Sequence, residues 1–286
     1  MPIDDFPDRG YLISARELGE RLDAVTLIDL RPAEDFAVGH IEGSRHLDLY
    51  GVSLNDSAEA PLNAFLAMFR NLFGARGVSG DRPVVIYDHE TGERAARAVW
   101  LLAVLGHPDV KILDGGSRAW ATAGRPLSRL SEAPVLPDPA KAPPTTPPFK
   151  GTPKLELLAT RFDVHRAIGD PGTIILDVRR ESEYRGAEKR ARRAGTVPGA
   201  VHVFWREHLD ARGAFRPADE MRALYASRGV TPDKTVIPLC QGGYRSASTF
   251  LALKSLGYPS VRNYVGSWGE WGNRDDSKIV VPEPGT

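Results

Sequence analysis

Cysteine is almost absent from this chain of 286 residues, which contains one, at position 240. A single cysteine cannot form an internal disulfide, so the sequence predicts a protein of a reducing compartment, and we expect a cytoplasmic one. Neither sign of charge is in excess, because Lys+Arg and Asp+Glu both number 37. Without a net positive charge or an aromatic RNA-binding motif, the chain lacks the features that attract nucleic acid, and we expect no such partner.

Long hydrophobic runs are absent as well. No apolar stretch approaches the roughly 20 residues that cross a bilayer, and the acidic start of the chain lacks the apolar segment of a secretory signal. The 7 histidines are dispersed without the spacing of metal ligands, and no nucleotide-binding glycine loop occurs. We therefore expect no membrane association, no metal and no cofactor. The hydrophobic content of 42% is typical of a globular protein.

An internal repeat is the strongest pattern that the chain does contain. Residues 84–120 align without a gap with residues 235–271, at a constant offset of 151, and the identical pairs include Val85/Val236, Gly92/Gly243, Arg94/Arg245, Gly115/Gly266 and Trp120/Trp271. A proline-dense run separates the copies and favours an extended connector. The sequence thus predicts two similar domains, residues 1–132 and 151–286, joined by a linker at 133–150.

Each copy alternates short apolar runs with amphipathic segments, which is typical of a parallel sheet flanked by helices. Strands are predicted at residues 25–30, 84–88 and 110–113 in the first copy, and at 173–177, 235–239 and 260–265 in the second. Helices are predicted at 93–105 and 246–256, ending at Gly106 and Gly257, and Ser14 with Glu17 predicts a capping box. We expect an α/β fold in both halves, with sites at the carboxyl ends of strands.

The single cysteine lies at such an end, directly after the apolar run 235–239 and before a predicted helix. It opens the loop Cys240-Gln241-Gly242-Gly243-Tyr244-Arg245. Backbone N–H groups and the positive end of a helix dipole lower the pKa of a thiol held in this position from its ordinary value of about 8.5. The two glycines allow the backbone to close round a sulfur atom, and the N–H groups of residues 241–245 predict a nest for an anion. Cys240 is therefore the predicted nucleophile.

Together these features resemble the tandem-domain rhodanese-type sulfurtransferases, in which the second domain is the active one. The resemblance is carried by residues 195–200, the cysteine loop, the tail 257–271, and the segments Asp177-Val178-Arg179 and Leu113-Asp114-Gly115-Gly116. It implies two rhodanese-like domains, each a mainly parallel sheet flanked by helices. It also implies transfer of a sulfane sulfur from thiosulfate to cyanide or a thiol, through a persulfide on Cys240.

The first copy lacks the cysteine. His89 stands at the position of Cys240 in the repeat, and its loop carries Glu90 and Glu93, which oppose an anionic ligand. We interpret the first copy as an inactive domain kept for packing, and a role of His89 as a catalytic base is the less favoured alternative.

Donor binding has two kinds of candidate, arginines and tryptophans: Arg245, Arg185, Arg179, Trp205 and Trp268. Arg245 either binds the sulfonate end of the donor or buttresses the loop, and Arg179 either faces the donor or forms a salt bridge. The structural alternatives are favoured, because Arg94 and Arg31 repeat these residues in the cysteineless copy.

Arg185 is the candidate from the basic segment 179–193. The alternative for this segment is a solvent-exposed loop that contacts no donor. Trp205 and Trp268 are candidates for the wall of the pocket, whereas Trp271 repeats Trp120 and is assigned to the core. Glu183 stands where vertebrate-type relatives carry an arginine, so their donor contacts cannot be transferred to this chain.

Three other functions are alternatives to thiosulfate sulfur transfer. A 3-mercaptopyruvate sulfurtransferase usually has a Cys-Gly-Ser-Gly-type loop, which differs from the loop here. A persulfide carrier for a protein partner would use the same cysteine. A cysteine phosphatase is disfavoured, because only four residues separate Cys240 from Arg245 and the loop is too small for a tetrahedral oxyanion.

Overall fold

The computed structural model describes residues 3–129 and 149–283. Their strands are β1 Leu12–Ile13, β2 Thr26–Asp29, β3 Arg45–His46, β4 Val84–Tyr87, β5 Val110–Leu113, β6 Leu158–Ala159, β7 Thr173–Asp177, β8 Val201–His202, β9 Thr235–Leu239 and β10 Asn263–Tyr264. Their α-helices are α1 Ala15–Glu20, α2 Ala33–Val38, α3 Glu59–Gly74, α4 Glu93–Val104, α5 Gly116–Thr122, α6 Arg161–Ala167, α7 Glu181–Tyr184, α8 Ala218–Ala226, α9 Arg245–Ser255 and α10 Ser267–Trp271.

The first half contains a five-stranded sheet in the order β1-β5-β4-β2-β3, and every pair is parallel. In the central strands Ile28 lies opposite Ile86, and Ile86 opposite Ile112. All three are buried, as apolar runs in a parallel sheet covered on both faces must be. The predicted strands 25–30, 84–88 and 110–113 are confirmed.

The second half repeats this order in two pieces. Strands β8-β7-β9 form one parallel sheet and β10-β6 another, and a parallel bridge between Val236 and Val261 connects them. The predicted strand 260–265 is therefore shorter than expected. Pro238 explains the interruption. The Val236 N–H donates to the Ser260 carbonyl, so Val236 and Pro238, two residues apart, both face the segment that contains β10. Pro238 has no N–H, so the next hydrogen bond on that side cannot form. The α/β fold with parallel sheets in both halves is confirmed.

Helix ends follow the local sequence closely. Ser14 accepts a hydrogen bond from the Glu17 N–H and Glu17 accepts one from the Ser14 N–H, so the predicted capping box is confirmed. Gly106 and Gly257 follow α4 and α9 with φ of 86° and 85°, as C-terminal glycines do.

The two halves share one core. Helices α4 and α9 pack against each other, and their side chains belong to one buried cluster that extends into both halves. Most of the predicted linker lies outside the described residues. Its last two residues, 149 and 150, are described, and Phe149 is buried with its carbonyl 2.7 Å from Arg70 Nη1. Within residues 3–129 and 149–283, no helix is long and apolar enough to cross a membrane.

Candidate active site

Cys240 directly follows β9, at the carboxyl edge of the second sheet, where Leu239 lies opposite Asp177 of β7. Its N–H donates to Ser267 Oγ at 3.1 Å, and its carbonyl accepts from the Trp268 N–H at 3.0 Å. Both main-chain groups of the cysteine are thus fixed by the start of α10. The side chain itself is buried, at the base of a cavity.

The loop turns sharply before α9 begins at Arg245. Gly243 adopts φ of 81°, and a Cβ atom there would lie 3.0 Å from the Val265 carbonyl oxygen, so glycine is required. The Gly243 carbonyl in turn accepts from Asn263 Nδ2 at 3.2 Å. This tight path brings the N-terminus of an eleven-residue helix next to the sulfur, where its dipole favours negative charge.

The sulfur of Cys240 is placed to ionise. Ser246 Oγ donates to its Sγ at 3.4 Å. Burial acts to raise the pKa of the thiol, but the charge of Arg245, the Ser246 hydroxyl and the N–H groups of Ser246 and Gly242 outweigh burial and hold the pKa below its ordinary value. The geometry therefore favours the thiolate, the form of cysteine that reacts as a nucleophile.

Arg245 is held by a buried carboxylate. Its Nη1 and Nη2 donate to Glu183 Oε2 and Oε1 at 2.6 and 3.0 Å, a two-pronged pair. The pKa of Arg245 is raised, because the hydrogen bonds and charge of Glu183 and the charge of Cys240 outweigh its burial. The pKa of Glu183 is lowered, because the same arginine and the Arg180 N–H outweigh burial. Arg245 thus joins the end of the cysteine loop to α7 through a side-chain carboxylate.

The cavity above Cys240 has a volume of about 750 Å³ and is lined by both halves of the chain. The first half contributes Tyr50, Ser53, Asn55 and Glu93, among others. The loop is also tied to that half, because the Tyr244 hydroxyl lies 2.7 Å from the Leu49 carbonyl and 3.0 Å from that of Val52. The site is therefore an interdomain site.

Three partly exposed arginines face this cavity: Arg180, Arg190 and Arg206. Arg190 is loosely paired, with Nη1 3.6 Å from Glu183 Oε1, and Arg180 Nη1 lies 3.7 Å from Glu188. Arg206 is bound more tightly, by Glu90 at 2.6 Å. The rim is thus rich in guanidinium groups that match a sulfonate or carboxylate.

Two acidic residues line the cavity, Glu188, which lies beside Arg180, and Glu93. Burial raises the pKa of Glu93, with the nearby charges of Arg245, Arg94 and Arg206 acting in the opposite direction. Glu90, the other acidic residue of the first loop, is neutralised by Arg206 at 2.6 Å and by Arg118 at 3.4 Å. The two acidic residues expected to repel an anion are therefore partly compensated by arginines.

Of the predicted substrate-binding residues, the structure brings Arg245 and Trp205 to the cavity and leaves three outside it. Arg179 is buried, pairs with Asp177 at 2.5 Å and lies 4.3 Å from the ring of Trp268. Trp268 is buried in that contact. Arg185 lines a separate cleft and pairs with Glu181 at 2.8 Å. The two arginines are held by carboxylates of the protein and Trp268 by its packing against Arg179, so none of the three needs a bound sulfur donor to explain its position.

The first half contains the same loop with a different content. His89 points to Asp35, with Nε2 3.2 Å from Oδ2, and both side chains are partly exposed. The carboxylate of Asp88 accepts hydrogen bonds from the N–H groups of Glu90, Gly92 and Ala95 at 3.1, 3.2 and 3.1 Å. The inward-facing amides of this loop are therefore already filled by a side chain of the protein.

Sequence reasoning missed several residues that surround the sulfur. Ser246 and Ser267 were not singled out, although the repeat places Ala95 and Gly116, which lack a hydroxyl, at their positions in the cysteineless copy. Arg190 belongs to the basic segment that was singled out, and Arg206 adjoins Trp205. Of the residues that the first half contributes to the cavity, the sequence singled out Glu93 alone, and Tyr50, Ser53 and Asn55 gave no signal. Among the described residues, no group of three or more His, Cys, Asp or Glu side chains is arranged to hold a metal ion.

Comparison with known proteins agrees with this architecture. The family model described as "Rhodanese-like domain" matches twice, at residues 14–123 and 160–274. The chain is 36% identical over 281 residues to a thiosulfate sulfurtransferase of Azotobacter vinelandii, covering 98% of this chain and 100% of the relative. It is 33% identical to the sulfur carrier protein TtuD of Thermus thermophilus, covering 92% and 93% of the two chains.

A solved structure of the anaerobic ergothioneine biosynthesis enzyme from Chlorobium limicola superposes with a TM-score of 0.80. It covers 98% of this chain and 72% of that one, at 19% identity, so this likeness concerns the fold alone. The two domain matches and the near-complete coverage of the relatives carry the assignment: the chain belongs to the rhodanese family of sulfurtransferases, as a member with two tandem rhodanese-like domains.

Proposed function

We propose that this protein is a thiosulfate sulfurtransferase that carries the transferred sulfur as a persulfide on Cys240. The observation that carries the proposal is the placement of a thiol with a lowered pKa at the base of a cavity rimmed by arginines. The relatives named thiosulfate sulfurtransferase, at 36% identity over nearly the whole chain, support thiosulfate as the donor.

The proposed reaction needs no general acid or base. The thiolate of Cys240 attacks the outer sulfur of thiosulfate, the sulfur–sulfur bond of the donor breaks, and sulfite leaves with the bonding electron pair. The resulting persulfide anion accepts hydrogen bonds from the loop, in the manner of an oxyanion hole. Cyanide or a thiolate then attacks the terminal sulfur, which restores the Cys240 thiolate.

Arg190 is the arginine that we expect to contact the sulfonate end of the donor. Its pairing with Glu183 is long, its side chain is 44% exposed, and its carbonyl accepts from Gln241 Nε2 at 3.0 Å, which keeps this segment beside the cysteine loop. Arg180 and Arg206 lie on the same rim. Arg185 and Arg179, by contrast, do not line the cavity, so we do not assign them to donor binding.

The deciding experiment is a thiosulfate:cyanide assay with thiocyanate as the product measured. We expect turnover in the wild type and none in Cys240→Ala, and an added mass of about 32 Da on the wild type after thiosulfate alone, one sulfur atom. Thiocyanate production that survives Cys240→Ala, or survives alkylation of the thiol, would contradict the proposal. Initial rates with 3-mercaptopyruvate test the alternative donor, and a large preference for it would replace thiosulfate.

The arginine assignment has a matched pair of variants. Arg190→Ala should raise the KM for thiosulfate about tenfold, the loss of one charge-assisted contact, while kcat changes less. Arg185→Ala removes the same charge from the neighbouring cleft and should change the KM less than twofold. Equal effects of the two variants would mean that the rim acts through its total charge and not through a contact of Arg190.

Persulfide carriage to a partner protein is the second candidate, supported by the similarity to the protein named as a sulfur carrier in Thermus thermophilus. Both functions predict the same persulfide on Cys240. They differ in turnover: a carrier would accept one sulfur from thiosulfate and release it slowly to cyanide or small thiols. Steady-state rates with small acceptors therefore separate the two.

A further inference from the structure

Arg97 is a buried arginine without an acceptor for its hydrogen bonds. It lies in the middle of α4, in the half that lacks the cysteine, and is 2% exposed. Among the described residues, none accepts a hydrogen bond from its Nε, Nη1 or Nη2 and none forms an ion pair with it. Burying a charge without a partner is costly, so its retention needs a physical reason.

The guanidinium of Arg97 is surrounded by aromatic rings. Its Cζ lies 3.9 Å from the centroid of the Tyr244 ring, and 5.7 and 5.5 Å from those of Phe65 and Phe69. The crevice where Arg97 meets Tyr244 has no room for a water molecule, which strengthens a cation–π contact. Tyr244 belongs to the cysteine loop, four residues after Cys240, so the charge is held under that loop.

We propose that Arg97 is a positioning residue through which the cysteineless half stabilises the anionic sulfur of Cys240. The Tyr244 ring holds the unpaired positive charge of Arg97 against the cysteine loop. The proposal rests on the proposed function in one respect, namely that Cys240 carries the transferred sulfur. It gives the first half an electrostatic task in the site as well as a packing task.

The electrostatics of the two residues are reciprocal. Burial lowers the pKa of Arg97 to about 10, and the charges of Tyr244 and Cys240 act in the opposite direction. Arg97 therefore stays protonated at neutral pH, and an interaction that favours its charge equally favours the thiolate. Arg245 is closer along the chain, but its charge is balanced by Glu183. Arg97 has no such counter-charge, and its field in a water-free interior is poorly screened.

The other charged or titratable groups near the sulfur come from several elements. The loop and α9 contribute Tyr244 and Arg245, α7 contributes Glu183, and the remaining charged groups line the cavity: Glu93, Arg180, Glu188, Arg190 and Arg206. Of these groups, Tyr244 stacks on the Arg97 guanidinium, and none of the others forms a hydrogen bond or an ion pair with it. A substitution at Arg97 therefore leaves the other charges in place.

The test is the pH dependence of the alkylation of Cys240 by iodoacetamide, in Arg97→Met and in the wild type. Methionine retains most of the volume and removes the charge. We expect the midpoint of the alkylation profile to rise by about one pH unit in the variant. We also expect the melting temperature to stay the same or increase, because an unpaired buried charge has been replaced by an apolar side chain.

Arg94→Met is the matched control. Arg94 lies one turn earlier on the same helix and also stacks on a tyrosine, at 4.1 Å from the Tyr50 ring, but it is paired with Asp48 at 3.2 Å. Its removal should not move the alkylation midpoint. Arg97→Lys, which keeps a positive charge, should restore a midpoint close to that of the wild type.

Two results would overturn the proposal. One is an unchanged alkylation midpoint in folded Arg97→Met; the other is a variant that loses stability or does not fold, since that outcome assigns Arg97 to packing. Because alkylation needs no sulfur donor, the result is independent of turnover. A shifted midpoint in a protein that makes no thiocyanate would refute the proposed function and leave the role of Arg97 standing.

Discussion

The loop after β4 and the loop after β9 occupy equivalent places in the repeat. Their backbone N–H groups face different acceptors: a carboxylate in the first half and a sulfur atom in the second. In the second half, Gly242 and Ser246 direct their N–H groups toward the sulfur of Cys240. In the first half, the carboxylate of Asp88 accepts from three N–H groups, two in the loop and one in the first turn of α4. Burial raises the pKa of Asp88 to about 6, although two of these hydrogen bonds act against the rise.

This difference gives a physical reason for our interpretation of the first copy as inactive. Asp88 corresponds to Leu239 in the repeat, so the anion-binding nest of the first half is closed by a residue that precedes the missing cysteine. The same loop architecture therefore serves two purposes. In one half its N–H groups face the sulfur of Cys240, and in the other they hold the carboxylate of Asp88, which fixes the loop itself.

Moving the cysteine to the first loop tests whether Asp88 blocks that loop. His89→Cys in a Cys240→Ala background places a thiol at the equivalent position of the first loop. We expect its thiocyanate production to stay at least about a thousandfold below the wild type. The reason is that the Asp88 carboxylate already holds the loop N–H groups and, with Glu90 and Glu93, raises the pKa of the introduced thiol.

The control for this experiment is alkylation of the introduced thiol under denaturing and native conditions, which shows that one cysteine is present and that the loop is folded. Adding Asp88→Leu, the residue at the corresponding position of the active copy, should increase the reactivity of this thiol at neutral pH. Recovery of turnover to within about tenfold of the wild type without that second change would show that Asp88 does not close the nest.

Sequence reasoning was most accurate where structure depends on neighbours along the chain. The repeat predicted the matching strands β4 and β9, the helices α4 and α9, and the loop between strand and helix in each half. It predicted too long a strand at 260–265, because the effect of Pro238 depends on which edge of β9 faces β10. Propensity and periodicity contain no information about that edge.

The candidate site was predictable only on the side that belongs to the second half. Cys240 and its loop stand out in the sequence, but the charge that surrounds them depends on packing between distant segments. Arg245 meets Glu183 only after α7 is placed beside the loop, and Arg97 reaches Tyr244 only after α4 packs on α9. No local pattern distinguishes these residues from solvent-exposed ions.

The next comparison concerns the ion pairs beside the two loops. Glu183 and Arg245 are buried together, whereas Asp35, the counterpart of Glu183 in the first half, pairs with His89, and those two side chains are 42% and 45% exposed. Glu183→Gln should reduce the free energy of unfolding by about 3 kcal/mol, because it leaves the buried arginine without a counter-charge. Asp35→Asn should reduce it by well under about 1 kcal/mol, as expected for a pair exposed to solvent.

Urea denaturation of both variants measures these changes, and the alkylation profile of Cys240 provides a second readout. In Glu183→Gln the charge of Arg245 is no longer balanced, so the midpoint of alkylation should fall while the stability falls. Similar destabilisation by the two substitutions would mean that burial of the pair in the second half has no energetic consequence.

The smallest predicted effect concerns Ser246, which is Ala95 in the cysteineless copy. Ser246→Ala removes the hydroxyl that donates to Cys240 Sγ at 3.4 Å and keeps the N–H at the same position. Because that hydrogen bond favours the thiolate, its loss should raise the pKa of Cys240 by about half a unit and lower the thiolate fraction at any pH below the midpoint. The alkylation midpoint should therefore move upward, with little change in the maximum rate at high pH. An unchanged midpoint would mean that the Ser246 hydroxyl does not contribute to the ionisation of the sulfur.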